Sequence, residues 1–569
     1  MAERRSSQSF EDNGAATVVL PDGSRVHRDH LAHNERLAPR IESPRPGVWC
    51  VLGNGLSNQT FIEGPEGLIA IDSGESIEEM TASLAQLRTV TDRPIVAVLY
   101  THFHYVAGTR AIMDEAGASL PIWGHEKIDG NLARASTAIG PTYSRGVIEQ
   151  FAIALPPDGP DHAQNLGLGL YWRRPGIGST NGYLSPTFTF SGATTLTIAG
   201  LTVSVTPAPS DADDSVTYWF PELGVAVHNL VWPVLFNIFA IRGEEYRDPN
   251  VLISGLDHVI SLGADHLVAT HGPTMSGRAS IAERTTRYRD ALSYIWDQTV
   301  RLTNLGATSN DLGHQVKLPQ LYSEDFLTTE LYGVVEHHAR QIRSGLFGFF
   351  DGDPENLFPV ATDERHARLI AGFGGRDAVA AQATAAFDGD DLRWGLELAS
   401  WLSGRPDANS DDHLLLARGL RLVAERTTAA NIRSWCLTRA RALEGQLDTS
   451  WMTVHALRPR ALAAAPLERG VHLLRVLVDP VRADGRNTKV TWHIGDEVTG
   501  LHLRNCVAVP TNGEGPDVIL SGTKEAWARV LGGSTTLSSA LESGDLVVTG
   551  DRDLLIETLG VFEVFSLRS

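Results

Sequence analysis

A mixed α/β region, followed by a helical region and a second, smaller α/β region, is the fold class this sequence predicts. Three observations predict it. Between residues 46 and 285 short apolar runs of β-forming residues (VWCVL, NQTFIE, GLIAID, PIVAVLY, LTVSV, VTYWF, HLVAT) alternate with segments of helical spacing. From 286 to 445 the pattern becomes helical and Ala-rich. From 455 to 569 strand-like and helix-like runs alternate again.

Each element has a local reason. ESIEEMTASLAQLRTV and NVLISGLDHVISLG repeat apolar residues at helical spacing, so each presents one face to a core. Residues 156–192, rich in Gly, Pro and Thr, read as a long functional loop. RDAVAAQATAAFDG, LRWGLELASWLSG and HLLLARGLRLVAER, separated by short Asp, Gly and Pro breaks, read as stacked helical hairpins. Their Trp and Leu suit either an oligomer interface or the region's own core. KVTWHIG, GLHLRNCVAV and DVILSG read as strands, and KEAWARVLGG and DLLIETLGVFE as helices. Residues 1–45 read as an N-terminal arm.

Size and charge bound the function. A chain of 569 residues exceeds what one core organises, so roughly two to four domains are expected. Lys plus Arg total 48 against 68 Asp plus Glu, a net charge of −20 that disfavours nucleic acid or an anionic membrane as partner. Cys50, Cys436 and Cys506 are too few and too scattered for a disulfide framework or a Cys-rich metal site. Neither the opening MAERRSSQSFEDNG nor any later run supplies a signal-peptide core or a membrane span. A cytoplasmic protein is the expectation.

The chemistry concentrates at strand ends. PIVAVLY runs into His102 and His104 in YTHFHYVAG, which places two imidazoles at the carboxyl edge of a sheet, where open α/β folds build their sites. HLVAT ends in His271, and GVAVHN in His228. SDADDS offers Asp211, Asp213 and Asp214 just before VTYWF, either as a turn or as carboxylates completing a His-rich divalent site.

The TH-x-H after a strand, the upstream IDSG turn around Asp72 and the late THG resemble the metallo-β-lactamase superfamily. That resemblance implies an αββα sandwich with one or two zinc ions. LSNQTFIEG, YIWDQTVRLTNLG, ELYGVVEHHARQIRSGLFGFFDGDPENLFP and AAFDGDDLRWGLELASWL narrow it to the type III alkyl sulfatases, over nearly the whole chain. The family joins the sandwich (here 46–285) to an all-α dimerisation domain (286–445) and a small α/β sterol-carrier-like domain (455–569). A homodimer is therefore implied. WHIGDEVTGLHLRN and LVVTGD fit the last domain, whose aliphatics either hold an apolar ligand or simply build its core.

This sequence departs from the family at its motif. The Asp and final His of THxHxDH fall at Val106 and Ala107, and neither can hold a metal. The family's Glu in a TEAPAE-like segment falls on Asp211, the Glu of AEN on His228, and its last His on His271. The resemblance thus implies His102, His104, Asp211, His228 and His271 as ligands of one divalent ion, zinc or alternatively iron, rather than two. The family's histidine acid meets Trp232 or Pro233.

Other residues are assigned by the chemistry an anionic ester needs. AIRGEEYRDPN offers Arg242 and Arg247, matching an LRG and RD pattern, and Arg presents a planar fork suited to sulfate oxygens. Arg247 beside Asp248 reads rather as a surface ion pair at a helix start. Tyr143 and Arg145 in GPTYSRG stand where the family has residues near the sulfate. Asp214 either accepts a proton or orients a ligating imidazole. Tyr105 either donates a hydrogen bond at the centre or fills the room of a second ion. The expected activity is metal-dependent hydrolysis of a sulfate or related ester with an anionic head and an apolar tail. The alternatives are a diverged mononuclear metalloenzyme with redox chemistry and a non-enzymatic lipid-binding or assembly protein.

Overall fold

The computed structural model describes residues 10, 14–135, 138–172, 176–453, 455 and 457–568. It divides into two compact units, Met1–Leu132 with Ser144–Thr449, and Ala133–Tyr143 with Ser450–Ser569.

In the first unit seven strands form one sheet in chain order: β1 (Arg40–Arg45), β2 (Val48–Leu52), β3 (Gln59–Gly64), β4 (Gly67–Ile71), β5 (Ile95–Leu99), β6 (Ile122–His125) and β7 (Phe188–Phe190). The pairs up to β4 are antiparallel and those from β4 onward parallel. Parallel neighbours need a crossover, supplied by α1 (Ile77–Leu87) and α2 (Thr109–Ala116). Six strands form the second sheet: β8 (Thr194–Ile198), β9 (Leu201–Pro207), β10 (Val216–Phe220), β11 (Val225–His228), β12 (His266–Ala269) and β13 (Met275–Ser276). Here β11 and β12 are parallel, joined through α3 (Pro249–Ser261).

Side-chain alternation creates the layers. In β4, Leu68 and Ala70 pack with Met80 and Leu84 of α1, while Ile69 and Ile71 face Val203, Val205 and Tyr218 of the other sheet. Both faces are covered, which is why GLIAI is an unbroken apolar run. On the far side of the second sheet, Ala226 and Leu267 pack with Leu252 and Leu256 of α3 and with Tyr288 and Leu292 of α4 (Arg278–Asn304). The order is helix, sheet, sheet, helix, the αββα sandwich implied by the resemblance.

After α5 (Val335–Phe347) come α6 (Thr362–Gly372), α7 (Arg376–Asp388), α8 (Leu392–Ser403), α9 (Ser410–Arg426) and α10 (Ala430–Leu443), joined by short turns. Leu398, Trp401 and Leu402 are buried with Val379 and Phe387, so the apolar stripe of α8 serves the region's own core. The exposed apolar surface lies elsewhere, in the segment between α5 and α6, where Phe349 is 85 % and Phe358 89 % exposed. The N-terminal segment lies on α9, with Thr17 Oγ1 donating to the Glu425 carbonyl at 3.1 Å and Arg25 paired with Glu425.

The second unit holds a five-stranded sheet of β14 (Asn487–Ile494), β15 (Glu497–Arg504), β16 (Val507–Thr511), β17 (Val518–Gly522) and β18 (Leu546–Gly550), in the order β16-β15-β14-β17-β18. Trp492, Leu501, Leu520, Trp527 and Leu555 form its core. A cavity of about 350 Å³ lies between Leu457, Leu477, Leu531 and Val564. Among the described residues, no helix is long and apolar enough to cross a membrane.

Candidate metal centre

The site begins where β4 and β5 end side by side. Asp72 has a φ of 58°, a left-handed conformation costly for a residue with a side chain. From there its carboxylate accepts the Thr101 N–H at 2.8 Å and the Thr101 hydroxyl at 2.6 Å. Because that hydroxyl proton goes to Asp72, Thr101 Oγ1 accepts from His102 Nδ1, 2.8 Å away. The chain Asp72, Thr101, His102 therefore fixes one imidazole tautomer and leaves the Nε2 lone pair for the site.

One 3-10 turn, Phe103–Tyr105, brings His104 round to the same side, with the two imidazole centroids 5.1 Å apart and the rings nearly perpendicular. Asp211, from the loop between β9 and β10, completes the group. Its Oδ2 is 3.0 Å from His104 Nδ1 and its Oδ1 3.5 Å from His102 Nε2. One ligand atom from each of the three residues lies within 4.8 Å of the others. Asn229, directly after β11, donates to Asp211 Oδ1 at 2.6 Å, and Trp232 Nε1 donates to Asn229 Oδ1 at 3.0 Å, so the carboxylate is held from behind.

The electrostatics follow from burial set against charge. Burial would raise the Asp211 carboxyl, but His102 and His104 outweigh it and hold it well below the usual range. Burial depresses His102, yet Asp211 wins and the imidazole ends above its ordinary value. For His104 burial wins, and its pKa is lowered.

This donor set fits a divalent metal. One carboxylate and two imidazoles supply three of the four positions of a tetrahedral zinc site and equally suit ferrous iron. His104 Nε2 is buried and makes no hydrogen bond, so nothing else in the described residues claims that ring's second nitrogen.

The other predicted residues are placed as follows. His271 stands beside the group rather than in it. Its Nδ1 donates to the Leu56 carbonyl at 2.9 Å, and its Nε2 faces the Tyr105 hydroxyl at 3.3 Å. Tyr105 is thus both edge-on to His102 and the partner of the imidazole that would otherwise be open. His228 lies outside the group: its Nδ1 accepts the N–H groups of Leu230 and Val231, and burial pushes it down to about 3. Asp213 pairs with Lys127 at 2.9 Å. Asp214 is fully buried, neither oxygen makes a hydrogen bond of ordinary geometry, and burial raises it to about 6. Thr101, not Asp214, orients His102.

Arg242 grips Glu244 through Nε at 3.0 Å and Nη2 at 2.6 Å, and its charge reaches His104 and Tyr105. Arg247 is no surface ion pair. It is buried, and Asp248 instead caps α3 through the Asn250 N–H at 2.9 Å. Arg145 is paired with Glu149 at 3.1 Å. Tyr143 belongs to the second unit, where its N–H donates to the Ile139 carbonyl at 2.9 Å. Sequence reasoning missed Thr101, Asn229 and Glu244, although Thr101 and Asn229 adjoin predicted ligands in TH and VHN.

Comparison with known proteins agrees with this architecture. The alkyl sulfatase dimerisation model matches residues 308–446, and the alkyl sulfatase C-terminal model matches 455–568. A linear primary-alkylsulfatase from Pseudomonas sp. is 33 % identical over 525 residues, covering 88 % of this chain and 98 % of that protein. An (R)-specific secondary-alkylsulfatase from Pseudomonas sp. is 26 % identical over 98 % of this chain and 85 % of its own length. The solved structure of a stereoselective inverting sec-alkylsulfatase from Pseudomonas sp. shares the fold with a TM-score of 0.82 at 23 % identity, over 97 % of this chain and 92 % of that one. With one third of its residues identical to a primary-alkylsulfatase along nearly that protein's full length, and both alkyl sulfatase models matched in order behind the sandwich, the chain belongs to the alkylsulfatase family.

Proposed function

We propose that this chain is a metal-dependent hydrolase of sulfate esters with an apolar alkyl portion, using a single zinc or iron ion held by His102, His104 and Asp211. The observation that supports it is the convergence of those three donors close to Arg242, in a member of the alkylsulfatase family. When bound, the ion supplies Lewis acidity and water activation. The protein's own groups do the rest. Thr101 and Asp72 hold the His102 Nε2 lone pair on the site, and Asn229 holds Asp211. Arg242, its Nε and Nη2 held on Glu244, brings the guanidinium charge to the sulfate head group. Asp214, which burial raises to about 6, is the carboxylate that accepts a proton at neutral pH.

Elemental analysis at known protein concentration is expected to give a metal ratio near one, and the loaded protein is expected to release sulfate from primary or secondary alkyl sulfates. A ratio near two would overturn the single-ion reading. No sulfate from any alkyl sulfate would remove the hydrolase reading. A diverged mononuclear metalloenzyme is the second reading, favoured by the apolar Val106 and by the Tyr105 hydroxyl on His271 Nε2. Copurified iron with oxygen-dependent turnover would select it.

A homodimer completes the proposal. Phe349 and Phe358, with the half-exposed Phe347 and Leu357, lie within the residues matched by the dimerisation model. Phe349→Ser with Phe358→Ser is expected to shift the mass measured by light scattering from dimer to monomer. A monomeric wild type, or an unaltered dimer in the variant, would refute the assignment of this surface.

A further inference from the structure

The N-terminal arm carries its own set of buried titratable groups. Residues 14–39 hold the hairpin Thr17–Val19 with Arg25–His27 and two short helices, Arg28–Ala32 and Asn34–Leu37. Within them His27, His30 and His33 recur every third residue, and none is more than 2 % exposed. Each ring makes one hydrogen bond and leaves its other nitrogen buried without a partner. His27 Nδ1 accepts the Asp29 N–H at 3.1 Å and caps the first helix. His30 Nδ1 donates at 3.2 Å to the carbonyl of Thr428, in the turn between α9 and α10. His33 Nε2 donates to the Gly167 carbonyl at 2.8 Å.

These bonds pin the first part of the 156–192 loop. Asn165 Nδ2 donates to the His30 carbonyl at 2.8 Å and to Asn34 Oδ1 at 2.7 Å, and the Ser24 hydroxyl donates to the Gly159 carbonyl at 3.1 Å. The same loop lies against the chain that frames the site. A Cβ added at Gly169 would stand 2.4 Å from the Gly55 carbonyl oxygen and 2.8 Å from Leu56 Cα, and the Leu56 carbonyl is the acceptor of His271 Nδ1.

The three rings make this attachment sensitive to protons. A second proton on His30 Nε2 or His33 Nδ1 would bury an N–H and a charge where no acceptor stands, and on His27 it would displace the Asp29 N–H from Nδ1. The facing charges mostly oppose it. Arg433 on α10 repels a charge on His30, Arg36 one on His33 and Arg28 one on His27, while Asp29 favours one on His27. Asp29 and Arg36 also line a cavity of about 290 Å³ with Glu324 and Glu330. Glu324 pairs with Arg287 at 3.4 Å, and Glu330 Oε1 accepts the Val335 N–H at 2.8 Å. On the hairpin, Arg25 pairs with Glu425 of α9, and Asp22 stands 3.3 Å from His162. Burial, reinforced by Arg433, pushes His30 down to about 3, and burial, reinforced by Arg36, pushes His33 down to about 4. Burial lowers His27 as well.

An imidazole freed into water returns to about 6.5, so the docked arm binds fewer protons than the released one. Attachment is therefore complete above about pH 6.5 and weakens as the pH falls below it. We propose that the N-terminal arm is a proton-released latch: mild acid charges His27, His30 and His33 together, and residues 14–39 lift from α9, α10 and the 156–169 loop while the αββα sandwich stays folded. One short segment carries all three rings, so a single release takes up as many as three protons. The latch does not depend on the hydrolase reading.

The test is hydrogen–deuterium exchange of the full-length protein, corrected for the intrinsic pH dependence of exchange. Between pH 7 and pH 5, peptides spanning 14–39 and 156–169 are expected to lose protection about tenfold or more, while those of β4 and β5 keep theirs. Unchanged protection of the arm at pH 5, or its loss across the sandwich at the same pH, would overturn the latch. His27→Asn, His30→Asn and His33→Gln combined keep a hydrogen-bonding atom where each ring uses one and remove the titration. In that variant the arm should stay protected at pH 5, and opening like the wild type would refute the role of the histidines. Should the triple variant fail to dock at pH 7, His33→Gln alone decides. It should make the opening less steep by about one proton, and an unaltered pH profile would count against the proposal.

Discussion

His104→Ala is expected to lower kcat/KM for an alkyl sulfate by about 10³-fold or more, on the order of 4 kcal/mol of transition-state stabilisation, and to empty the centre of metal. The reason is the small number of donors. With His102, His104 and Asp211 as the three that converge, loss of one leaves two, and His271 is occupied by Tyr105 and Leu56. The fold should survive, because the layers around the site rest on separate apolar cores and Asp211 keeps Asn229. Metal content, activity and melting temperature measured together distinguish the outcomes. A variant that melts like the wild type, retains its metal and still turns over would sink the proposed centre. One that simply unfolds would call for His104→Gln, which keeps the volume and loses the imidazole.

Arg242→Met is expected to raise KM for alkyl sulfates strongly, with kcat/KM falling about 10²- to 10³-fold, the range found for removal of a single preorganised charge donor. Arg242→Lys should recover part of this, since it keeps the charge but loses the fork that matches sulfate oxygens. In the proposed role Glu244 would support Arg242: two hydrogen bonds hold the guanidinium, and the surrounding burial limits screening by water. Binding of inorganic sulfate by calorimetry gives an independent reading. Unchanged KM and unchanged sulfate affinity in Arg242→Met would move the head-group site elsewhere.

The sandwich and the paired histidines are legible in the sequence for related reasons. A strand covered on both faces must be apolar throughout, so GLIAI and IVAVL announce themselves. Polar residues that follow at once, in THFH, then stand out at a strand end. The fate of His228 is not legible by the same route. It too ends an apolar strand, but the chain turns immediately, and the N–H groups of Leu230 and Val231 take its Nδ1. A backbone turn competes with a metal for the same lone pair, and residue spacing does not record which prevails. Arg247 errs in the other direction: next to Asp248 it reads as a surface pair, whereas the helix cap claims Asp248 and leaves Arg247 inside.

Local patterning suffices for the layers, the strand-end imidazoles and the family, because alternation and helical spacing are properties of neighbouring residues. The choice of partner for each buried polar atom is settled only across long separations: 107 residues between His104 and Asp211, and 166 between Tyr105 and His271. Such pairings depend on how two sheets are stacked and on which groups burial strips of water. No short stretch of chain holds that information, so the His102, His104 and Asp211 group, the Arg242–Glu244 clamp and the burial of Arg247 emerge only in the folded molecule.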